Sequence, residues 1–329
     1  MRAFVTGGTG FIGSNVVRAL LKAGYEVKAL VRRGSNTRNL DGLDVDIVYG
    51  DLTDAGSLKQ GMGGCARVFH VAALYKFWIR EPGLVFRVNV EGTENVLRAA
   101  SQLGVERVIY TSSVAALAVP EGGEAVSEET PIDPGKIIGE YKKSKYSAEQ
   151  LALAYGKRGL PVVIVNPSFP VGPRDAKPTP TGRVILDFLQ GRMPAYVETG
   201  MNVVDVGDVA VGHLLAADKG RIGERYILGG ENMTMSGLLG LLSEITGREA
   251  PRLKLPYYPL LGLSYLNAAF SRAFGTIPRM TPDTMRMSHH YMYYDSTKAI
   301  CELGLPQSTA KEALSKAVSW YQDNGYVSS

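Results

Sequence analysis

Tyr141 and Lys145 stand four residues apart in the run Tyr-Lys-Lys-Ser-Lys. On a helix this spacing puts both side chains on one face. A free tyrosine has a pKa of about 10, too high to serve as a base at neutral pH. A lysine ammonium beside it favours the phenolate and is expected to lower that value. The pair can then exchange a proton with an alcohol or a carbonyl. Upstream, Thr111-Ser112-Ser113 closes an apolar run that reads as a strand. A hydroxyl at the carboxyl end of a strand lies over the crevice where ligands bind in open α/β sheets. Ser113 is the first choice to hold the reacting oxygen, and Ser112 is its nearest competitor. Tyr294 and Lys298 repeat the same spacing and serve as a control. Asp295 and Ser296 read as helix caps there, no strand bearing serines precedes them, and that pair is read as structural.

The positioning elements begin with a glycine loop, Thr6-Gly7-Gly8-Thr9-Gly10-Phe11-Ile12-Gly13, between a first strand and a first helix. Gly7 permits the tight turn, Gly10 lets the backbone approach a pyrophosphate, and Gly13 lets the helix pack on the strand. The helix N-terminus, through Phe11 and Ile12, then offers free N–H groups to the anion. With 38 glycines in the chain some such spacing arises by chance, so the strand-turn-helix context carries the assignment to a dinucleotide. The second strand ends in Val31-Arg32-Arg33, where an enzyme preferring NAD usually carries an acid. Guanidinium groups suit a 2′-phosphate, so NADP(H) is expected, with Arg32 as first contact and Arg33 as second; NAD(H) stays open as the cofactor. Asp51-Leu52 follows the third strand, where Asp51 can reach the adenine amino group or act as a turn residue. Lys145 is then also placed to hydrogen-bond the nicotinamide ribose.

Short apolar runs alternate with helical patterns through the first half. Strands are expected at 2–6, 25–31, 45–49, 67–71, 107–111 and 162–166, and helices at 11–23, 54–61, 84–103 and 141–157. Such alternation gives an α/β fold with a doubly wound parallel sheet of the Rossmann type. Past Pro167 it weakens. Strand character returns at 203–206, followed by a helix at 208–217 and another short strand at 225–228. Residues 1–172, with about 199–228 and 293–305, are assigned to the dinucleotide-binding domain. A smaller, mostly helical substrate-side lobe takes about 173–198 and 229–292, with a C-terminal helix at 309–323.

Apolar residues make up 45% of the chain and charged ones 21%, as in ordinary globular proteins. A net charge of +4, dispersed along the sequence, does not form a nucleic-acid footprint. Cys65 and Cys301 have no metal-like spacing and are expected to be buried thiols in a reducing cytosol. His70, at the end of an apolar strand, reads as a satisfied buried imidazole. His289-His290 lacks partners at ligand spacing, so no metal is expected. Met1–Thr6 enters a strand directly and does not read as a signal peptide. Leu255–Ser271 carries no charge but is short for a bilayer span. It is read first as a buried helix of the lobe and second as an apolar wall or membrane-surface contact.

Together these motifs resemble the extended short-chain dehydrogenase/reductases. Residues 6–13, Gly50-Asp51-Leu52, Asn89-Val90-Glu91-Gly92-Thr93, Thr111-Ser112-Ser113 and Tyr141-x-x-Ser144-Lys145 look like that family's successive signatures. The likeness continues through Asn166-Pro167, residues 204–210 and Tyr294-Asp295. Phe69-His70-Val71-Ala72-Ala73 is similar to dihydroflavonol-4-reductase-like enzymes, which use NADPH. Pro167-Ser168-x-Pro170-Val171-Gly172-Pro173 and Met193-Pro194-Ala195-Tyr196 resemble the hopanoid-associated sugar epimerases. The resemblance implies that Pro167 and Ser168 lie near the nicotinamide and that Ala72 and Ala73 pass close to the cofactor. It also implies a homodimer paired through a four-helix bundle. Ala116-Leu117-Ala118 stands where sugar-nucleotide epimerases often carry Val-Tyr-Gly. The first expectation is therefore an NADP(H)-dependent carbonyl or alcohol oxidoreductase in the cytoplasm, acting on a small molecule. The second is a sugar or cyclitol epimerase or dehydratase that recycles its cofactor, and the third a non-catalytic dinucleotide sensor. Tyr75 and Trp78, after the fourth strand, and Arg183 in the substrate-side region are the substrate-wall candidates.

Overall fold

A computed structural model describes residues 1–75, 81, 83–120, 122–274, 276 and 281–327, with the side chains of 272 and 273 excepted. Six strands come first: β1 (Arg2–Thr6), β2 (Glu26–Val31), β3 (Val45–Tyr49), β4 (Arg67–His70), β5 (Arg107–Thr111) and β6 (Val162–Pro167). Then follow β7 (Phe169–Val171), β8 (Ala195–Tyr196), β9 (Gly200–Asp205), β10 (Arg225–Leu228), β11 (Glu231–Thr234), β12 (Leu253–Lys254) and β13 (Tyr291–Met292). Among the described residues a seven-stranded parallel sheet runs in the order β10-β6-β5-β4-β1-β2-β3. The order reverses between β1 and β4, and there the crevice opens at the strands' carboxyl ends.

Helices cover both faces. They are α1 (Phe11–Lys22), α2 (Ala55–Met62), α3 (Leu84–Phe86), α4 (Gly92–Leu103), α5 (Glu140–Lys157), α6 (Pro180–Leu189), α7 (Val206–Lys219), α8 (Met235–Thr246), α9 (Tyr257–Phe274), α10 (Pro282–Ser288) and α11 (Ala310–Asp323). Strand alternation divides the core. Ala3, Val5, Ile109, Val163 and Val165 pack against Val16, Val17 and Leu20 of α1 and Val209 and Ala216 of α7. Phe4, Val68, Val108, Tyr110, Val162 and Ile164 face the other way, onto Leu58 and Met62 of α2, Val96 and Leu97 of α4 and Ala148 and Ala152 of α5. Both faces of a parallel sheet are dry, which explains why its strands read as continuous apolar runs.

The expected helix over 84–103 is one rod with a π-helical turn at Arg87–Glu91 between α3 and α4. Such turns widen a helix locally and are frequent at functional sites. The strand expected at 203–206, assigned with the dinucleotide-binding domain, lies outside the seven-stranded sheet. It begins earlier, as β9, and joins a second sheet with β7, β11 and β13 rather than the main one. Apolar alternation gives a strand its faces but not its partners, and β9's partners come from distant segments. This second sheet, with α6, α8 and α11, closes a separate core around Ile185, Phe188, Met201, Val203, Leu242, Leu314 and Tyr321.

Two further expectations are corrected. Cys65 is buried, but Cys301 is exposed on the turn at Ala299–Leu303. The uncharged stretch from Leu255 does form a helix, α9, yet its large apolar side chains are not buried: Leu266 is 69% exposed and Phe270 58%. The residues buried there are the small ones, Ser264, Ala268 and Ser271. Among the described residues no helix is long and apolar enough to cross a membrane.

Candidate active site

The carboxyl ends of β1, β4, β5 and β6 gather the chemistry. Gly7 leaves β1 with φ of 74°, in the left-handed region, and a Cβ there would sit 2.7 Å from the backbone nitrogen of Ala72. At Gly13 a Cβ would fall 2.1 Å from the Gly7 carbonyl oxygen. Neither position accepts a side chain without moving backbone. Helix α1 starts behind Gly10 with no side-chain cap and no acid in its first turn, so its N-terminal field is left for an external anion. This hairpin-tight, uncapped loop fits a dinucleotide pyrophosphate.

A directed chain of hydrogen bonds holds the loop against the next strand. The Ala72 amide donates to Thr6 Oγ1 at 3.2 Å, and Thr6 Oγ1 lies 2.7 Å from His70 Nδ1. His70 Nε2 lies 2.9 Å from Thr93 Oγ1, which donates to the Asn89 carbonyl at 2.6 Å. Since the Thr93 proton is used on Asn89, His70 donates through Nε2 and accepts at Nδ1 from Thr6. Burial, with Lys145 nearby, pushes the His70 pKa down to about 3, so the ring is neutral. His70 is the satisfied core histidine that its position in an apolar strand suggested.

Arg32 and Arg33 are both exposed at the end of β2. Arg33 stacks its guanidinium 5.3 Å over the Tyr49 ring. Asp51 accepts from Thr53 N at 2.9 Å and Thr53 Oγ1 at 2.7 Å. Burial tends to raise its carboxyl, but these bonds and the charge of Arg32 outweigh it and hold the pKa below the ordinary value. Leu52 is buried against Gly92, where a Cβ would approach within 2.9 Å of it.

Helix α5 carries Tyr141 and Lys145. Its start is fixed by a relay: Ser144 Oγ donates to the Tyr141 carbonyl at 2.7 Å and accepts from Asn89 Nδ2 at 3.0 Å. Asn89, from the π-helical turn, also takes the Leu74 amide at 2.7 Å on Oδ1. One side chain thus ties the segment after β4 to α5, and the Tyr75 ring lies 4.7 Å from that of Tyr141. Ala72 and Ala73 lie on the same segment, beside Gly7. Trp78 lies outside the described residues. Ser113 Oγ accepts the Ala115 amide at 3.1 Å, and its interaction with the Tyr141 phenol opposes the rise that burial imposes on that group. Ser112 is buried one residue earlier, which favours Ser113 of the two for contact with a ligand.

Lys145 is buried. Its Nζ donates to the Thr111 carbonyl at 2.8 Å and to Tyr110 Oη at 3.2 Å. Burial lowers its pKa to about 8, against the field of Glu149. The depression of the Tyr141 phenol expected from Lys145 is not found in the protein alone. Burial pushes Tyr141 up to about 12, opposed by Ser113. Desolvation of the phenol is the cause, and the ammonium is turned toward Thr111 and Tyr110. Below Lys145, Glu149 is buried and accepts from Asn166 Nδ2 at 2.6 Å, with Arg225 at 3.4 Å. Asn166 also donates to the Ser113 carbonyl at 3.0 Å. Glu149 was not singled out in the sequence, although it stands four residues after Lys145 on the same face; Asn89 was visible only as part of a motif.

Pro167 ends β6 beside Leu228, and the Ser168 amide donates to the Leu228 carbonyl at 3.2 Å. Both sit at the edge next to Ser113. Arg183 is exposed on α6; its charge acts on buried Asp175, whose own charge acts on Tyr75, so its link to Tyr141 is indirect. Tyr294 is buried in a small cluster with Val126 and Met292, and Asn202 donates to its carbonyl at 3.3 Å. It is a core residue despite its spacing to Lys298. Among the described residues no three His, Cys, Asp or Glu side chains gather as metal ligands.

Comparison with known proteins matches residues 3–229 to the NAD dependent epimerase/dehydratase family. The chain belongs to that family. Family members are NAD(P)-dependent oxidoreductases, epimerases or dehydratases, so this epimerase/dehydratase-family chain is an enzyme of the extended short-chain dehydrogenase/reductase type. It is 50% identical to a "Putative dihydroflavonol 4-reductase" of Synechocystis over 98% of this chain and 95% of the relative. It is 38% identical to "Sterol demethylase protein B" of Methylococcus capsulatus over 99% of this chain and 100% of that protein. Its fold matches the crystal structure of DesIV, a dTDP-glucose 4,6-dehydratase from Streptomyces venezuelae with NAD bound. The TM-score is 0.79 at 27% identity, over 99% of both chains.

Proposed function

We propose that this enzyme is an NADP(H)-dependent oxidoreductase that reduces a carbonyl or oxidises an alcohol. The observation that carries the reading is the buried Lys145 ammonium one helical turn from the Tyr141 phenol, with Ser113 at the end of β5 close enough to oppose the upward shift of that phenol. Gly7, Gly10, Phe11, Ile12 and Gly13 would hold the pyrophosphate, Lys145 the nicotinamide ribose, and Ala72, Ala73, Pro167 and Ser168 would flank the cofactor. When bound, that cofactor supplies or accepts the hydride. The protein's own part is proton transfer. Ser113 holds the substrate oxygen; Tyr141, protonated below a pKa of about 12, donates to that oxygen in the reductive direction. Tyr75 forms one wall of the pocket, and the Asn89 tie keeps that wall against Tyr141.

The NADP(H) preference rests on Arg32 and Arg33 and on the absence of an acid at the end of β2. Asp51, whose carboxylate feels the charge of Arg32, already accepts from Thr53. Replacing Arg32 by Ser is expected to weaken NADPH binding about tenfold to a hundredfold, the worth of one charge-assisted contact, while leaving NADH binding unchanged. Fluorescence titration checks it; equal weakening of both cofactors would defeat the assignment.

A second reading, an epimerase or dehydratase with internal cofactor recycling, is favoured by the likeness to DesIV, whose structure holds NAD. The deciding experiment incubates the purified enzyme and NADPH with a panel of carbonyl substrates at the nicotinamide absorbance. Substrate-dependent loss of absorbance supports the oxidoreductase. Substrate conversion with no net change in cofactor supports the recycling reading.

A further inference from the structure

We propose that α9 is a docking surface for an anionic lipid bilayer, laying its outer face on the membrane without spanning it. The helix is inverted relative to an ordinary surface helix. Its inner side buries Ser264, Ala268 and Ser271, whereas Tyr258, Leu263, Leu266, Phe270 and Phe274 face outward, each more than half exposed. Positions 258, 262, 266, 270 and 274 recur every four residues, so the outward side chains form a continuous stripe with Gly262 as its one gap. A contiguous apolar stripe on a folded protein marks an interaction site.

Charge selects the occupant. From Leu255 to Ser271 the sequence carries no ionisable Asp, Glu, Lys or Arg, so the stripe itself is neutral. Between Gly247 and Ser288 there are six Lys or Arg residues and two Asp or Glu. Arg252 and Lys254, just before the helix, have side chains 85% and 60% exposed, each paired only loosely, with Glu249 at 3.4 Å and Glu198 at 3.9 Å. An apolar helix face with basic flanks is the pattern that binds the headgroup and acyl boundary of anionic membranes. Tyr258 and Tyr265 add rings with a polar tip, suited to that boundary. A second copy of the chain fits less well. Isologous pairing through α9 would bring two basic flanks together.

The placement ties this face to the site. Arg286 of α10 donates to Tyr265 Oη on α9 and stacks over its ring at 5.7 Å. At the other end of α10, the Asp283 carboxylate lies 3.3 Å from where a Cβ of Gly139 would sit, two residues before Tyr141. Docking through α9 therefore brings the lobe beside Tyr141 to the lipid surface, whatever reaction Tyr141 performs.

The test is flotation of the full-length protein with vesicles of phosphatidylcholine alone and of phosphatidylcholine with one-third phosphatidylglycerol. The anionic vesicles are expected to carry the protein and the neutral ones at least tenfold less, with added salt reducing the difference. The double variant Leu266→Glu, Phe270→Glu is expected to stay with the free protein while keeping its far-UV circular dichroism. Should that variant fail to fold, Leu266→Trp supplies the reading: its fluorescence is expected to be quenched by lipids brominated in their acyl chains. Wild-type protein that ignores both vesicles, a Leu266→Trp indole that is not quenched, or a folded double variant that still floats would each overturn the proposal. So would sedimentation showing a wild-type dimer and a monomeric double variant, without flotation of either, since a second copy would then cover the face.

Discussion

Tyr141→Phe removes one oxygen and leaves the ring against Tyr75, so it isolates the proton-transfer role. The rate is expected to fall about 10²–10⁴-fold while cofactor binding persists, measured by stopped-flow alongside fluorescence titration. Loss of both together would mean that the substitution disturbed the pocket rather than the chemistry. Lys145 makes a separate claim. Its pKa of about 8 lies below the ordinary lysine value because it is buried. A basic group with a depressed folded pKa binds fewer protons than in the unfolded chain between about pH 8 and 10.5, so its contribution to stability rises with pH across that window. Lys145→Met removes this titration. The rise in urea midpoint from pH 8 to 10 is expected to be smaller in the variant than in the wild type; equal slopes would contradict the assignment. At the same scale, Gly13→Ala places a methyl 2.1 Å from the Gly7 carbonyl oxygen. It is expected to destabilise by about 1–3 kcal/mol, as overpacking does, and to weaken NADPH binding.

The loops at the sheet edge are held by side chains that belong to other elements. The chain from Ala72 through Thr6, His70 and Thr93 to Asn89 joins β1, β4 and the π-helical turn. Thr93→Val removes the acceptor for the buried His70 Nε2–H and is expected to cost about 1–3 kcal/mol. Nitrogen-15 spectra of the imidazoles at pH 5.5 are expected to show His70 neutral and protonated at Nε2 in the wild type. A charged ring there would contradict both the burial and the chain. The helix ends show how much of this scale was readable beforehand. Thr309 and Glu312 form a capping box, and Asp54 caps α2 through the Gly56 and Ser57 amides. Those residue types mark helix starts in any sequence, and they stand at the starts of the helices expected at 54–61 and 309–323. The π-helical turn left no comparable mark, because apolar periodicity runs through it unbroken.

At the scale of the molecule, the C-terminal helix connects the parts. Tyr321 Oη donates to the buried Asp175 at 3.0 Å, and Lys316 reaches Asp205 at 2.6 Å. Leu314, Ala317 and Val318 fill the core beneath β9. Ending the chain after Gln307 would expose that core, and the truncated protein is expected to bind a hydrophobic dye and to unfold at lower urea than the full chain. Unchanged unfolding would show that the second sheet holds without α11. Organisation at this scale was the least legible in the sequence. The strand at 203–206 was visible, but its sheet was not.

The sequence by itself determined the parallel sheet, and it put forward the glycine loop and Tyr141, Lys145 and Ser113 as the proposed site. These rest on local patterns: apolar runs between helical periods, glycines where the backbone must turn or touch, and a four-residue spacing on one helix. Sequence context had already set aside Tyr294 and Lys298, which share that spacing, and tertiary structure places Tyr294 in a core. Tertiary structure alone decided that Glu149 and Asn89 serve the site, because their partners lie on other elements and buried polar groups are satisfied wherever the fold brings them together. The outward apolar face of α9 was decided there too. A run without charges reads the same whether its large side chains turn inward or out, and packing against α10 and His289 fixes the rotation of the helix.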